Sequence, residues 1–386
     1  MRILHTADWH VGKKLGRVDR TEEFQAVLDE IISIARDQKL DMAIVAGDLF
    51  DRALPPLGSL GMVLDALMRL ADVAGQVVVI PGNHDSPELF EILAPMLGPR
   101  GVHIVSRINK PNEGGVIKVS SRDGNSAASV ACFPFLHEAQ VVDFMTAPDG
   151  GYSTYADKVK AISATYCAAF EPGSVGILVG HWFIEGAEVG GGERKIHLGQ
   201  QYSATSHSIP AGASYVALGH IHRPQAIEGS LVPARYAGSI LQLDFSERTH
   251  NKEVVIVDAD PSRPAKVTSV QLSTGRRLIR VEDTIESLEK RVDELKDAYL
   301  DVRVVTDGPV FGLAERVKAL LPDAVMVQAI YDRQEQMVRL DRDQDSSLAD
   351  LYAEYYASPR GHATTAPAEL VEAMRQLEDE VVRASS

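Results

Sequence analysis

The sequence predicts an α/β chain: a layered sheet core flanked by helices, then a small α+β unit, then a helical tail. Three observations carry this. The first half alternates short apolar runs with amphipathic segments, in the order RILHTAD, EEFQAVLDEIISIARDQ, MAIVAGD, LGSLGMVLDALMRLADVAG and VVVIPGNHD. That β-α-β-α-β order is the signature of a layered α/β fold. After KVTSVQLST the character changes: LIRVE, TIESLEKRVDELKDAY, LDVRVVTDG, VFGLAERVKALLPDA and VMVQAIYD read as a compact second β-α-β-α-β unit. Finally, a polar stretch, DRDQDSS, leads into LADLYAEYYA and AELVEAMRQLEDEVV, both helix-like. The expected boundaries are 1–275, 276–340 and 341–386.

Within the first unit, further strands are expected at SVACFPF, SVGILVGH, SYVALGHIH, ARYAGSI and EVVIVDAD, and the Gly-, Asn- and Ser-rich stretch 107–128 reads as a hairpin or loop. In the second, TIESLEKRVDELKDAY is expected as one helix with Ile285, Leu288, Val292 and Leu295 on a single face. The 386 residues, 45% of them hydrophobic, suffice for one large domain and one or two smaller ones. Two cysteines, Cys132 and Cys167, sit in apolar or helical surroundings and imply no disulfide framework, which fits a reducing cytoplasm. No apolar run approaches the roughly 18 residues of a membrane span. Arg2-Ile3-Leu4 leads straight into a strand, without the apolar region of a signal peptide. The net charge of −15 argues only weakly against a nucleic-acid partner. Clustered carboxylates that hold cations contribute negative formal charge, which the ions then cancel.

Chemistry concentrates at strand ends. Asp8 and His10, two apart, close the first apolar run, and in extended chain such residues share a face. AIVAGD ends on Asp48, VVVIPGNHD on Asn83, His84 and Asp85, GILVGH on His181, and YVALGHIH on His220 and His222. The crevice beyond strand carboxyl ends is where α/β proteins bind ligands. Glycine before a ligand residue lets the chain turn and be approached closely. Asp, Asn and His without cysteine suit Mn, Fe or Zn. A carboxylate such as Asp48 can bridge two ions, and two ions about 3.5–4 Å apart clamp the oxygens of an in-line phosphoryl displacement.

The motifs D-x-H, GD, GNHD, GH and GHIH, in this order, resemble the five motifs of calcineurin-like metallophosphoesterases. The longer texts MRILHTADWHVGKKLG, IVAGDLFD, PGNHDSPE, YVALGHIHRPQ and YAGSILQLDFSE are similar to the SbcD family of bacterial nuclease subunits, which work with an SMC-like SbcC ATPase in DNA-break processing. The resemblance is close to about residue 260 and looser through the second unit, and in the tail it extends to helical character only. It implies a metallophosphoesterase β-sandwich, a capping domain, and two divalent ions with manganese foremost. One ion would be held by Asp8, His10, Asp48 and His222, the other by Asp48, Asn83, His181 and His220. His84 would contact the scissile phosphate and help protonate the leaving oxygen, with Asp85 or Asp51 orienting it. Relatives from archaea and eukaryotes carry a histidine where Asp51 stands here. The implied activity is a 3′-to-5′ exonuclease on duplex ends and an endonuclease on hairpins and near blocked ends. The implied assembly is a homodimer bound to the base of the ATPase coiled coil.

Each signal has a plainer alternative. A lone D-x-H is weak, whereas all five motifs in order are specific. His5, His103, His137, His197, His207, His250 and His362 lie outside the motifs and are assigned structural or surface roles. Lys13, Lys14, Arg17, Arg20 and Arg223, and with less support Arg194 and Lys195, are candidate DNA-phosphate contacts; their alternative is a solvated loop. The apolar LGMVLDALMRLADV and ELFEILAPMLG read either as core or as dimerising helices. Leu348, Leu351, Tyr352, Tyr355 and Tyr356 form a stripe for a partner helix or for their own chain. No G-x-x-x-x-G-K-[ST] occurs, so a nucleotide requirement would be met by the partner. The rival readings are a phosphatase or cyclic-nucleotide phosphodiesterase on the same fold, and a non-catalytic DNA-end scaffold. GDLFDR followed by Ala53, and GNHD in place of GNHE, argue against the phosphatase.

Overall fold

The computed structural model describes residues 1–136, 154–193, 202–331, 347–358 and 364–384. Two compact units result, Met1–Ile330 and Tyr331–Ser386.

The first unit is built on two six-stranded sheets. One contains β1 (Arg2–Thr6), β2 (Met42–Ala46), β3 (Val77–Ile80) and β4 (Val102–Ile104), all parallel, with the hairpin β13 (Glu253–Asp260) and β14 (Arg263–Gln271) antiparallel beside β1. The other runs β11 (Gln225–Ala226), β12 (Ala234–Tyr236), β10 (Tyr215–Gly219), β7 (Val175–His181), β6 (Ala127–Phe133), β5 (Val116–Ser120). The stretch read as hairpin or loop holds the β5–β6 hairpin. A short pair, β8 (Phe183–Ile184) and β9 (Ser203–Ala204), stands apart from both sheets.

The two-residue period of strands sorts the core into layers. Ile3, Ile44 and Val78 from one sheet meet Ile177, Val179 and Ala217 from the other. Their sequence neighbours Leu4, Val45 and Val79 face the opposite way, onto α1 (Thr21–Asp37), α2 (Leu57–Ala74) and α3 (Pro87–Leu97). Leu178, Val216 and Leu218 likewise face α4 (Tyr155–Ala168). The result is a helix–sheet–sheet–helix sandwich, as expected. It directs the carboxyl ends of β1, β2 and β3 in one sheet, and of β7 and β10 in the other, to one edge of the sandwich.

Residues 277–330 form a three-stranded parallel sheet, β15 (Arg277–Asp283), β16 (Ala298–Val305) and β17 (Ala324–Ile330), with α5 (Ile285–Lys290) and α6 (Leu313–Leu320) in the crossovers. The long helix expected from residue 284 on is cut short at Lys290, and 291–297 are turns. The Arg291 N–H bonds back to Leu288 O at 3.0 Å, a three-residue step that tightens the coil, and the Arg291 guanidinium pairs with Asp283 and Glu294. Leu288 and Leu295 stay buried across the change. This small sheet docks on the sandwich through Leu15, Phe245, Leu278 and Tyr299.

In the second unit, α7 (Leu348–Ala357) packs on α8 (Ala368–Ala384). Ser347 caps α7 reciprocally with Asp350, which accounts for its sharp start. Leu351, Tyr352 and Tyr356 are half-buried while Tyr355, Leu370 and Leu377 stay exposed. No helix among the described residues is long and apolar enough to cross a membrane.

Candidate metal centre

The strand-end residues converge. Three overlapping groups, Asp8–His10–His222, His10–Asp48–His84 and Asp8–Asp48–His181, each offer ligand atoms within 4.8 Å of one another, and all are buried. Asn83 joins through its side-chain oxygen, 3.1 Å from His181 Nε2 and 2.9 Å from His220 Nδ1. All seven candidate ligands and His84 therefore occupy one site.

The backbone is bent to achieve this. Six non-glycine residues among those described have positive φ, and Asp8, His10, Asp48 and His220 are four of them. Such conformations cost about 1–3 kcal/mol each and persist only where the surroundings over-determine them. The surroundings do so here. Asp8 N–H donates to Gly47 O, His10 N–H to Asp48 O and Val11 N–H to Leu49 O, each at 3.0 Å, which staples the loop after β1 to the loop after β2. The Asp8 carboxylate accepts the His220 N–H at 3.0 and 3.1 Å, tying one sheet to the other. Glycine is required for the close approach: a Cβ on Gly82 would lie 2.2 Å from Asp48 Oδ1, and one on Gly219 would lie 2.0 Å from Ala46 O.

Histidine tautomers follow from the partners. His181 Nδ1 lies 2.7 Å from Ala46 O, so it donates there and leaves Nε2 as the electron-pair donor. His222 Nδ1 lies 2.8 Å from Glu247 Oε1, with the same consequence. His10 Nε2 and His222 Nε2 face each other at 3.1 Å, and His10 Nδ1 is buried without a hydrogen-bond partner. Facing imidazole nitrogens among carboxylates make a donor set that fits a divalent cation. Burial pushes the Asp8 carboxyl up to about 7, against the pull of His181 and His222. Burial would also raise Asp48, but His181, His84 and His10 hold it well below the usual range. Burial opposes a charge on His181, yet Asp48 outweighs it and carries the imidazole to about 9.

A calcineurin-like phosphoesterase model matches residues 1–224, and a model described as a type 5 capsule protein repressor C-terminal domain matches residues 274–358. The chain is 31% identical over 370 residues to the SbcD subunit of the SbcCD nuclease of Bacillus subtilis, covering 94% of each. It is 26% identical over 372 residues to the protein of the same name in Escherichia coli K12, with 92% of this chain and 91% of that one covered. The Rhodobacter capsulatus counterpart is 32% identical over 272 residues, covering 67% and 66%. The chain belongs to the SbcD family of calcineurin-like phosphoesterases. As a member it is a nuclease subunit and a metal-dependent hydrolase, and its buried Asp and His groups are suited to divalent cations.

Other SbcD-family expectations fare differently. His84 Nδ1 lies 2.9 Å from the backbone oxygen of Asp51, not from its carboxylate, which pairs with Lys13 at 3.0 Å. Asp85 spends both carboxylate oxygens on backbone: Oδ2 accepts from Leu49 and Gly82 at 3.1 and 3.0 Å, and Oδ1 from Phe50 at 3.0 Å. It clamps the loop after β2 to the loop after β3. Lys14 is exposed with Asp19 at 4.0 Å, Arg17 is exposed, and Arg223 pairs with Glu188. Arg20 requires a correction. Its guanidinium is buried, bound bidentately to Glu23 and stacked 5.7 Å from the Tyr299 ring, so it braces the small sheet against the sandwich and is closed to phosphate. Arg194 and Lys195, with His137, His197 and His362, lie outside the described residues. His5 packs inside, its Nδ1 2.9 Å from Tyr215 Oη.

Sequence reading missed Glu193, Glu247 and Lys252. Glu193 accepts the N–H groups of Gly190, Gly191 and His222. Glu247 and Lys252 form a buried ion pair at 2.7 Å beside His222. LDFSE was visible as family text, but nothing local marks its last residue as a partner of a histidine 25 positions earlier.

Proposed function

We propose a two-metal-ion DNA nuclease that degrades duplex ends as a 3′-to-5′ exonuclease and cuts hairpins and blocked ends as an endonuclease, with manganese as the working ion. The observation that carries it is Asp48, whose buried carboxylate belongs to one ligand group with His10 and His84 and to another with Asp8 and His181. Asp8, His10, Asp48 and His222 would hold one ion, and Asp48, Asn83, His181 and His220 the other. When bound, the ions supply Lewis-acid activation of water and neutralise the charge that builds up on the phosphate. Asp48, common to both sets, would hold the two ions together. His84, in one buried group with His10 and Asp48 and with Nδ1 held by the Asp51 carbonyl, would when protonated give a proton to the sugar oxygen as its bond to phosphorus breaks. Lys13, Lys14, Arg17 and Arg223 contact phosphates, so selection is by shape and ends rather than by base sequence. Residues 276–340 act as the cap that guides the duplex.

The chain works as a homodimer with a coiled-coil ATPase of the SbcC type, in the cytoplasm at the nucleoid. Support for the dimer lies in Leu57 on α2 and Ile92 and Met96 on α3, at 85%, 64% and 67% exposure. The exposed Tyr355, Leu370 and Leu377 of the tail offer the ATPase an apolar face.

The test is cleavage of labelled duplex and hairpin DNA by the purified chain and by its complex with the ATPase and ATP, with Mn²⁺, Mg²⁺ or EDTA. Manganese-dependent cutting, absent in Asp48→Ala and His84→Ala, is expected. Rapid hydrolysis of a phosphomonoester with no cutting of DNA in either form would replace the nuclease with a phosphatase.

A further inference from the structure

His222 is held through both its backbone and its ring. Its N–H donates to Glu193 Oε1 at 2.9 Å, and its carbonyl accepts from Ser239 N–H at 3.1 Å and Lys252 Nζ at 3.0 Å. Its Nδ1 donates to Glu247 Oε1 at 2.8 Å. Glu247 is fully buried. Its second oxygen accepts from Lys252 Nζ at 2.7 Å and Leu243 N–H at 3.1 Å, with Ser239 Oγ at 3.2 Å. Gly192 covers the His222–Glu247 hydrogen bond so closely that a Cβ there would stand 2.6 Å from Glu247 Oε1 and 2.9 Å from His222 Nδ1. A buried carboxylate costs folding energy unless it is paired, and this one is paired by a lysine that itself grips the His222 carbonyl.

We infer that Glu247 is a positioning residue that holds His222 with Nε2 turned to Asp8 and His10, and so sets the affinity of the ion on that side of Asp48 without touching it. The inference rests on the two-ion reading above. A carboxylate behind a ligating imidazole fixes its tautomer and ring orientation and makes it a stronger electron-pair donor, and losing such a partner typically weakens metal binding about 10–100-fold. The lysine has a part in this: bonded to the second oxygen of Glu247 and to the His222 carbonyl, it holds the carboxylate in place behind the ring. The Glu247 carboxylate bonds to His222, Ser239, Leu243 and Lys252, none of which is among the residues that would hold the second ion, Asp48, Asn83, His181 and His220. The effect is therefore one-sided, unlike that of a general loss of packing.

The test uses the full chain and two readouts. Calorimetric titration with Mn²⁺ compares wild type with Glu247→Gln, which keeps an oxygen acceptor but loses the charge. It also compares the pair Glu247→Leu with Lys252→Met, which removes both charges together and leaves neither one buried alone. Nitrogen-15 NMR of the metal-free imidazoles reads the His222 tautomer, assigned with His222→Ala. Wild type is expected to bind two ions. Glu247→Gln should weaken one of them about 10-fold and the double variant about 100-fold, with the other ion unchanged. The Nδ1–H signal of His222 should persist in Glu247→Gln and disappear in the double variant. Equal weakening of both ions, or of neither, would overturn the inference. If wild type binds no ion, the metal reading fails by itself, and Glu247 is then judged by the tautomer alone: an unchanged signal in the double variant overturns it.

Discussion

Replacing Asp85 by alanine should destabilise the sandwich while leaving the His84 ring in place. The carboxylate accepts three backbone N–H groups, from Leu49, Phe50 and Gly82, at 3.0–3.1 Å. A buried donor left without a partner costs about 1–3 kcal/mol, so losing all three costs at least ~3 kcal/mol. For the unit Met1–Ile330, at about 2.1 cal/mol/K of unfolding entropy per residue, that is a fall of roughly 4 °C or more in Tm. Asp85→Asn can keep its carbonyl where Oδ2 stands and so retain two of the three bonds. It also relieves the burial and the Asp48 charge that push the Asp85 carboxyl up to about 7, so its loss should be less than half that of alanine. Thermal unfolding of the metal-free chain followed by circular dichroism measures both. An Asp85→Ala variant that melts within about 2 °C of wild type would refute the clamp.

Other outcomes follow from the same contacts. Metal-free Asp8 and His181 retain protons up to about 7 and about 9, and binding must expel them, so Mn²⁺ affinity should fall as pH drops from 9 to 6; calorimetry in buffers of different ionisation enthalpy should record the released protons. Arg20→Ala should lower stability by about 1–3 kcal/mol and leave the salt dependence of DNA binding unchanged. Arg17→Ala should do the reverse, reducing the salt slope by about 1 at unchanged Tm. Gly82→Ala places a Cβ 2.2 Å from Asp48 Oδ1 and should abolish Mn²⁺ binding in a chain whose far-ultraviolet spectrum is native.

The candidate ligands were legible because each closes an apolar run, and parallel strands in two adjoining sheets deliver such ends to one edge. The cost of that placement was not legible. Positive φ is normally announced by glycine, and Asp8, His10, Asp48 and His220 adopt it only because hydrogen bonds between distant loops enforce it. Arg20 shows the limit of reading charge from proximity. It lies near the candidate ligands Asp8 and His10 in sequence, yet it opens α1 with its side chain turned inward to Glu23 and Tyr299. Glu247 was hidden for the opposite reason: it lies in a one-turn helix with no periodicity to read, and its partner is across the site. The helix ends at Lys290, where Arg291 turns back to pair with Asp283, although the amphipathic pattern of Leu288, Val292 and Leu295 alone predicts that it continues.

The most direct measurement is an anomalous difference map at the manganese edge from crystals grown with Mn²⁺. Two peaks about 3.5–4 Å apart on either side of the Asp48 carboxylate are expected, one against His222 and one against His181 and His220. A single peak, or peaks away from Asp48, would contradict the two-ion site.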